Sequence, residues 1–194
     1  FPSNFGLQLH QENDFKIENL IVGGEKLPNF NNKKFTPHNS NLCDGYGASE
    51  TCGGVLSFNM DFNRFYSNIP IGKPMSNVWA YILDDENRKL PIGVAGEIVI
   101  SGKQLSDGYW KNEDLTNKSF EINPYSTCED NKIMYHTGDL GYWNFYGEIE
   151  IIGRVDNQIK LHGFRIEPGE IEKIINDNIG IKSSVVMLKN DNLV

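Results

Sequence analysis

The sequence predicts an α/β layer that gives way to a β-rich region and then to the opening of a small α+β unit. Three observations carry this reading. A short apolar run, Leu20-Ile21-Val22, ends in Gly23-Gly24-Glu25, as a buried strand does where it opens into a ligand loop. From Ile69 the pattern changes to short strands separated by turns. After Gln158 a hairpin pattern, an amphipathic helix and a strand follow one another.

Taken in order, residues 1–19 carry little pattern, and residues 29–41 are polar and irregular, with Pro37 breaking any helix. Leu42-Cys43 reads as the end of a second strand leading into a Gly-rich loop around Tyr46, so that two glycine-bearing strand ends face one crevice. Gly53-Gly54 again leaves room rather than filling it. The turn-rich stretch Ile69-Pro70-Ile71-Gly72-Lys73-Pro74 precedes a strand over 78–83 and a polar hairpin-type connection at Asp84-Asp85-Glu86-Asn87. A strand over 96–102 is held between glycines. A short helix is predicted over 112–120, with Asn112 as N-cap and Glu113-Asp114 in the first turn. Residues 124–131 read as a loop, Tyr146-Gly147-Glu148 as a turn and 149–152 as a strand, which together describe a small antiparallel sheet or barrel. Ile159-Lys160-Leu161 and Phe164-Arg165-Ile166 form hairpin arms around His162-Gly163. Pro168-Gly169-Glu170 opens a helix whose Ile171, Ile174 and Ile175 share a face, Gly180 stops it, and 184–188 is read as a strand.

The bulk properties set limits. The 194 residues suffice for one domain, or one domain and part of another. Hydrophobic residues make up 39% and charged residues 23%, an ordinary globular balance, and the net charge of -8 argues against a nucleic-acid binder, which would need a basic face. No apolar run reaches the length of a membrane span. Cys43, Cys52 and Cys128 are scattered and form no CxxC pair, as in a reduced, cytoplasmic protein. Cys52 is either a pocket-lining thiol or, more simply, a small apolar filler.

The chemistry centres on Asp44-Gly45-Tyr46-Gly47-Ala48-Ser49-Glu50-Thr51. Glycines on both sides of Tyr46 let the backbone approach a ligand closely. An aromatic face, a hydroxyl and a carboxylate at this spacing suit an adenine ring, a phosphate oxygen and Mg2+. The same eight residues also suit a Gly-rich turn with a packed Tyr. Downstream, Asp139 lies between Gly138 and Leu140, where a carboxylate can accept from a ribose diol or make an Asx turn. His136 has no acid or nucleophile beside it in the sequence, which favours a packing or surface role.

Set together, five blocks resemble the adenylate-forming superfamily, and within it the amino-acid adenylation domains of nonribosomal peptide synthetases. They are Gly23-Gly24-Glu25; Tyr46-Gly47-Ala48-Ser49-Glu50; Gly96-Glu97-Ile98-Val99-Ile100-Ser101-Gly102 with Gly108-Tyr109; Tyr135-His136-Thr137-Gly138-Asp139-Leu140; and the run from Gly153-Arg154-Val155-Asp156 through Lys160 and Gly163 to Glu172. The resemblance implies the carboxyl-side part of the large core (1–68, the end of an α/β layer, and 69–155, a β-rich subdomain) followed by a hinge and partial lid at 156–194. It implies an enzyme that uses ATP and Mg2+ to convert an amino acid or other carboxylic acid to an acyl-adenylate. The acyl group then passes to the phosphopantetheine thiol of a carrier domain.

Carried over by position, Gly24, Glu25 and Gly47 would border the adenine and Tyr46 would stack on it. Ser49 would touch phosphate, Glu50 would hold Mg2+, Asp139 would bind the ribose, and Arg154 would reach ribose or phosphate. Ile21, Gly23, Gly45, Gly53 and Gly54 would line the acyl pocket, Asp156 would be the hinge, and Lys160 and Gly163 would belong to the thiolation loop. This chain departs from the family pattern at Ala48 (commonly Pro), Ser49 (Thr), His136 (Arg or Lys) and Pro168 (Leu). The family's phosphate loop and catalytic lysine have no counterpart between Phe1 and Val194, so the piece by itself is expected to be inactive. Two other readings fit the residues: a stand-alone acyl- or aryl-CoA or D-alanine–carrier ligase, and a non-catalytic interaction module.

Overall fold

The computed structural model describes residues 18–27, 41–161, 164–178, 180–189 and 192–194. The chain divides into two compact units, Phe1–Val155 and Asp156–Val194.

The first unit holds two sheets. In one, β1 (Asn19–Gly23), β2 (Asn41–Ala48), β3 (Gly53–Asn59) and β4 (Lys73–Pro74) lie in that order. Only β1 and β2 run parallel, with Gly23 opposite Gly45. This pair is the part of the expected α/β layer that the described residues contain, and its connection falls outside them. Alternation along β2 buries Leu42, Asp44 and Tyr46 on one face. The glycine-flanked stretch around Tyr46 is therefore strand, not the loop expected from its composition. Gly53-Gly54 likewise opens β3. Backbone pairing overrides glycine's weak strand preference here because Gly47 passes so close to β3: a Cβ at Gly47 would lie 1.8 Å from the Gly53 carbonyl oxygen.

The second sheet contains β5 (Val78–Leu83), β6 (Gly96–Gly102), β7 (Phe120–Ile122), β8 (Ile133–Trp143) and β9 (Ile149–Arg154), in agreement with the predicted antiparallel sheet. Its organiser is β8. One edge of β8 pairs with β6, and its other edge carries β7 near the start and β9 near the end. Helix α1 (Glu113–Ser119) leads into β7 and is capped as expected, with the Leu115 N–H donating to Asn112 Oδ1 at 3.1 Å.

A shared core joins the sheets. Tyr46, Val55, Leu56 and Ile71 pack with Ile82, Ile98, Ile100 and Ile149. Reciprocal backbone bonds between the 71–72 segment and Ile149 tie the layers along one side. Burying this many β-branched and leucine side chains, each stabilising by roughly 1.5–3 kcal/mol, holds the two sheets face to face.

In the second unit, β10 (Ile159–Leu161) and β11 (Phe164–Ile166) form the predicted hairpin, and α2 (Pro168–Asn176) follows. The helix ends before Gly180. Asn178 Nδ2 donates to the carbonyls of Ile174 (2.8 Å) and Ile175 (3.2 Å), capping the last turn early. The strand expected over 184–188 is absent. Among the described residues pairing begins only at Met187, which exchanges backbone hydrogen bonds with Val194, and continues in β12 (Leu188–Lys189), paired with β13 (Asn192–Leu193). No helix among the described residues is long and apolar enough to cross a membrane.

Candidate functional site

Three side chains from separate strands meet at one carboxylate. The Tyr46 hydroxyl on β2 donates to Asp139 Oδ2 on β8 at 2.6 Å, and Arg154 Nη1 on β9 donates to Asp139 Oδ1 at 2.5 Å. The register explains the second contact, because Asp139 and Arg154 are direct cross-strand partners. The first contact spans 93 residues of sequence and depends on the packing of the two sheets. Burial first, and then the Asp139 charge, push the Tyr46 phenol well above its usual range, so it stays protonated and donates.

Backbone groups hold the ends of this clasp. Thr137 Oγ1 donates to the Ile98 carbonyl at 2.6 Å and accepts from the Asp139 N–H at 3.0 Å. The Thr137 carbonyl accepts from Arg154 Nη2 at 3.2 Å. Between Thr137 and Asp139, Gly138 takes φ +71, a left-handed conformation that glycine adopts without a Cβ clash. Its carbonyl accepts from the Val155 N–H at 2.9 Å.

Beyond Tyr46 the chain makes a single 3-10 turn, Ser49–Thr51. Thr51 Oγ1 accepts from the Ala48 N–H at 2.9 Å and donates to the Gly53 carbonyl at 2.9 Å, closing the turn on itself. Glu50 is buried within it, only 6% exposed. The Tyr109 hydroxyl donates to Glu50 Oε1 at 2.6 Å, and the Glu50 carbonyl accepts from the Ser106 N–H at 2.8 Å. Burial and then the Glu50 contact raise the Tyr109 pKa, which keeps that phenol a donor.

The predicted residues separate into groups. Tyr46, Asp139 and Arg154 come together. Gly47, Ser49 and Glu50 lie next along the same chain. Gly24 (φ +84) and Glu25 follow Gly23, which sits opposite Gly45 and one residue from Tyr46. Ile21, Gly23 and Gly45 occupy the face of the β1–β2 pair opposite Tyr46, and Ile21 is 66% exposed there. Gly54 pairs with Gly47, and Gly53 with Ala48, at the far end of the same hairpin. Asp156 and Lys160 belong to the second unit. Asp156 Oδ1 accepts from the Gln158 N–H at 3.1 Å, and Lys160 pairs with Arg165 across the hairpin. Gly163 lies outside the described residues.

Two expectations change. The Tyr46 ring does not offer an open platform for stacking. It is 7% exposed and packed into the shared core, and its hydroxyl is taken up by Asp139. His136 is not without acids. Its Nδ1 lies 2.8 Å from Glu97 Oε2, and its Nε2 lies 3.6 Å from Glu121 Oε2. Both acids reach it across strands, which sequence adjacency does not reveal. Tyr109 and Thr137 were also missed. Each lies inside a matching block, but the residue it serves is fixed by packing, and for Tyr109 that residue is 59 positions away.

Among the described residues, no group of three or more His, Cys, Asp or Glu side chains is placed to hold a metal ion. Glu50 supplies a single carboxylate. That suits Mg2+, which keeps waters and takes most of its ligands from substrate phosphates.

Residues 5–110 match the family model described as AMP-binding enzyme. Gramicidin S synthase 2 of Brevibacillus brevis is 40% identical over 178 residues, covering 91% of this chain and 4% of the relative. Bacitracin synthase 3 of Bacillus licheniformis is 42% identical over 180 residues, covering 90% of this chain and 3% of the relative. The chain thus spans a small fraction of the curated relatives it matches. Among solved structures, holo-PA1221, described as an NRPS protein containing adenylation and PCP domains bound to a vinylsulfonamide inhibitor, superposes with a TM-score of 0.78. It is 26% identical, with 89% of this chain and 30% of that chain covered.

Proposed function

This chain belongs to the AMP-binding enzyme family, and from that premise we propose that it is the carboxyl-side part of an amino-acid adenylation domain in a nonribosomal peptide synthetase. The whole protein joins an amino acid to the AMP moiety of ATP, releases pyrophosphate, and passes the acyl group to the phosphopantetheine thiol of a carrier domain. Residues 1–68 and 69–155 belong to the large core, and residues 156–194 to the hinge and lid.

The observation that carries this reading is the meeting of Tyr46, Asp139 and Arg154 from two sheets at one buried carboxylate. A ribose diol exchanges its hydrogen bonds for those Asp139 already makes, and Arg154 supplies positive charge beside it. Gly24 and Glu25 border the base, and Ser49 meets a phosphate oxygen. Glu50 would hold Mg2+, which would neutralise phosphate charge, while Tyr109 fixes the carboxylate that receives it. The face carrying Ile21, Gly23 and Gly45 takes the substrate side chain, with Gly53 and Gly54 at its end. Asp156 is the pivot, and Lys160 with Gly163 belongs to the thiolation loop.

The test is amino-acid-dependent ATP–pyrophosphate exchange by the full-length protein. Glu50→Gln should lower it by at least ~100-fold while leaving the thermal unfolding profile intact. Near-normal exchange in that variant removes Glu50 from the site.

A further inference from the structure

The Glu97 carboxylate makes two contacts with β8, one to backbone and one to a side chain. Its Oε1 accepts from the Gly138 N–H at 2.8 Å, and its Oε2 lies 2.8 Å from His136 Nδ1. Gly138 is the residue whose left-handed backbone sets the direction of Asp139, and the Val155 N–H binds its other side. The peptide that aims the ribose carboxylate is thus gripped from β6 through a carboxylate, and that carboxylate is gripped in turn by a histidine. Neither residue has a role that the motif positions assign.

We propose that Glu97 is a positioning residue for the nucleotide site, holding the Gly138 peptide so that Asp139 meets the ribose, and that His136 is the counter-ion that holds Glu97. The role rests on the adenylation reading above and adds to it. Neither residue touches substrate. Both act through Gly138.

The counter-ion is titratable, which gives the arrangement a pH dependence. Among the described residues, the charged groups facing His136 are Glu97 from β6 and Glu121 from β7, and Asn87 Nδ2 donates to Glu121 Oε2 at 3.0 Å. Burial works against the imidazolium, but the two carboxylates outweigh it and raise the His136 pKa above its ordinary value. A raised histidine pKa means that the ion pair is intact at low pH and is lost as pH climbs through the raised value. Where the family pattern has Arg or Lys, a permanent cation, this chain carries a cation that can be switched off.

The experiment is pyrophosphate exchange by the full-length protein from pH 6 to 9, with KM for ATP and kcat separated, for wild type, His136→Arg, Glu97→Gln and Glu97→Ala. In the wild type, KM for ATP should rise about 5-fold to 10-fold across the range. His136→Arg should hold KM near the low-pH value throughout. Glu97→Ala should raise KM about 10-fold at every pH with kcat changed less than about twofold. Glu97→Gln keeps an acceptor for Gly138 without the charge, and should lose the pH dependence with a smaller rise. A KM profile unchanged by His136→Arg, or a wild-type KM in both Glu97 variants, overturns the positioning role alone. Absence of exchange by the wild type with every acid tested overturns the adenylation reading and this role with it.

Discussion

Asp44 and Asp139 are equally buried, each 5% exposed, yet their surroundings are opposite. Asp139 has an arginine on one oxygen and a phenol on the other. Among the described residues Asp44 Oδ1 has no hydrogen-bond partner, and burial, opposed only in part by the Gly45 backbone, pushes its carboxyl from 3.8 up to about 7. The two acids even compete for the same neighbourhood. Tyr46, two residues from Asp44 on the same strand face, gives its hydroxyl to Asp139 instead. Equal burial therefore produces a partnered anion in one place and a carboxyl that resists ionisation in the other.

The largest effect should come from Asp44→Asn. Because the folded-state pKa lies above the unfolded value, stability is fully present below about pH 4. It falls as pH climbs towards 7 and then levels off. A carboxyl raised from 3.8 to about 7 costs up to ~4 kcal/mol above that range, since each tenfold change in its acidity is worth ~1.4 kcal/mol. Asn cannot ionise, so Asp44→Asn should remove the slope and raise the melting temperature at pH 8 but not at pH 4. Calorimetric unfolding of the full-length protein at both pH values checks this. Wild-type stability that rises between pH 4 and 8 breaks the comparison.

Comparable in size is Arg154→Ala. It would turn Asp139 into a second Asp44, a buried carboxylate with its ion pair removed. Losing one partner of a buried pair costs about 3–5 kcal/mol. Chemical unfolding of the full-length protein should show a destabilisation of that size. Tyr46→Phe removes one charged hydrogen bond and leaves the ring in the core, so ~1.5–3 kcal/mol is expected by the same measurement.

A good part of this was legible in the sequence. Periodicity and glycine punctuation located β1, β5, β6, α1 and the β10–β11 hairpin, because each is decided by local pattern. The Tyr46 stretch was misjudged, since two glycines flanking an aromatic read as loop while cross-strand pairing with β3 makes strand. The candidate site residues Tyr46, Asp139 and Arg154 were visible as motif positions. Their mutual contacts were not, because packing between two sheets brings Tyr46 to Asp139 and only the β8–β9 register brings Arg154. Glu97 escaped for the same reason: its partner Gly138 is 41 residues away and reached across a bulged β6–β8 pairing. Asp44 carried no signal that separates an acid without an ion pair from one with an arginine beside it.

The smallest effect sharpens the comparison most. Lys132 Nζ lies 2.6 Å from Glu129 Oε1, almost as close as Arg154 to Asp139, but its side chains are 59% and 82% exposed against 14% and 7%. If distance decided the energetics, the two pairs would be worth the same. If burial decides, Lys132→Ala should change stability by less than ~1 kcal/mol, because water screens the exposed pair and solvates whichever partner is left. Chemical unfolding of Lys132→Ala beside Arg154→Ala measures the two under one set of conditions. A loss in Lys132→Ala as large as that in Arg154→Ala would mean that proximity, not desolvation, sets the strength of the Asp139 clasp.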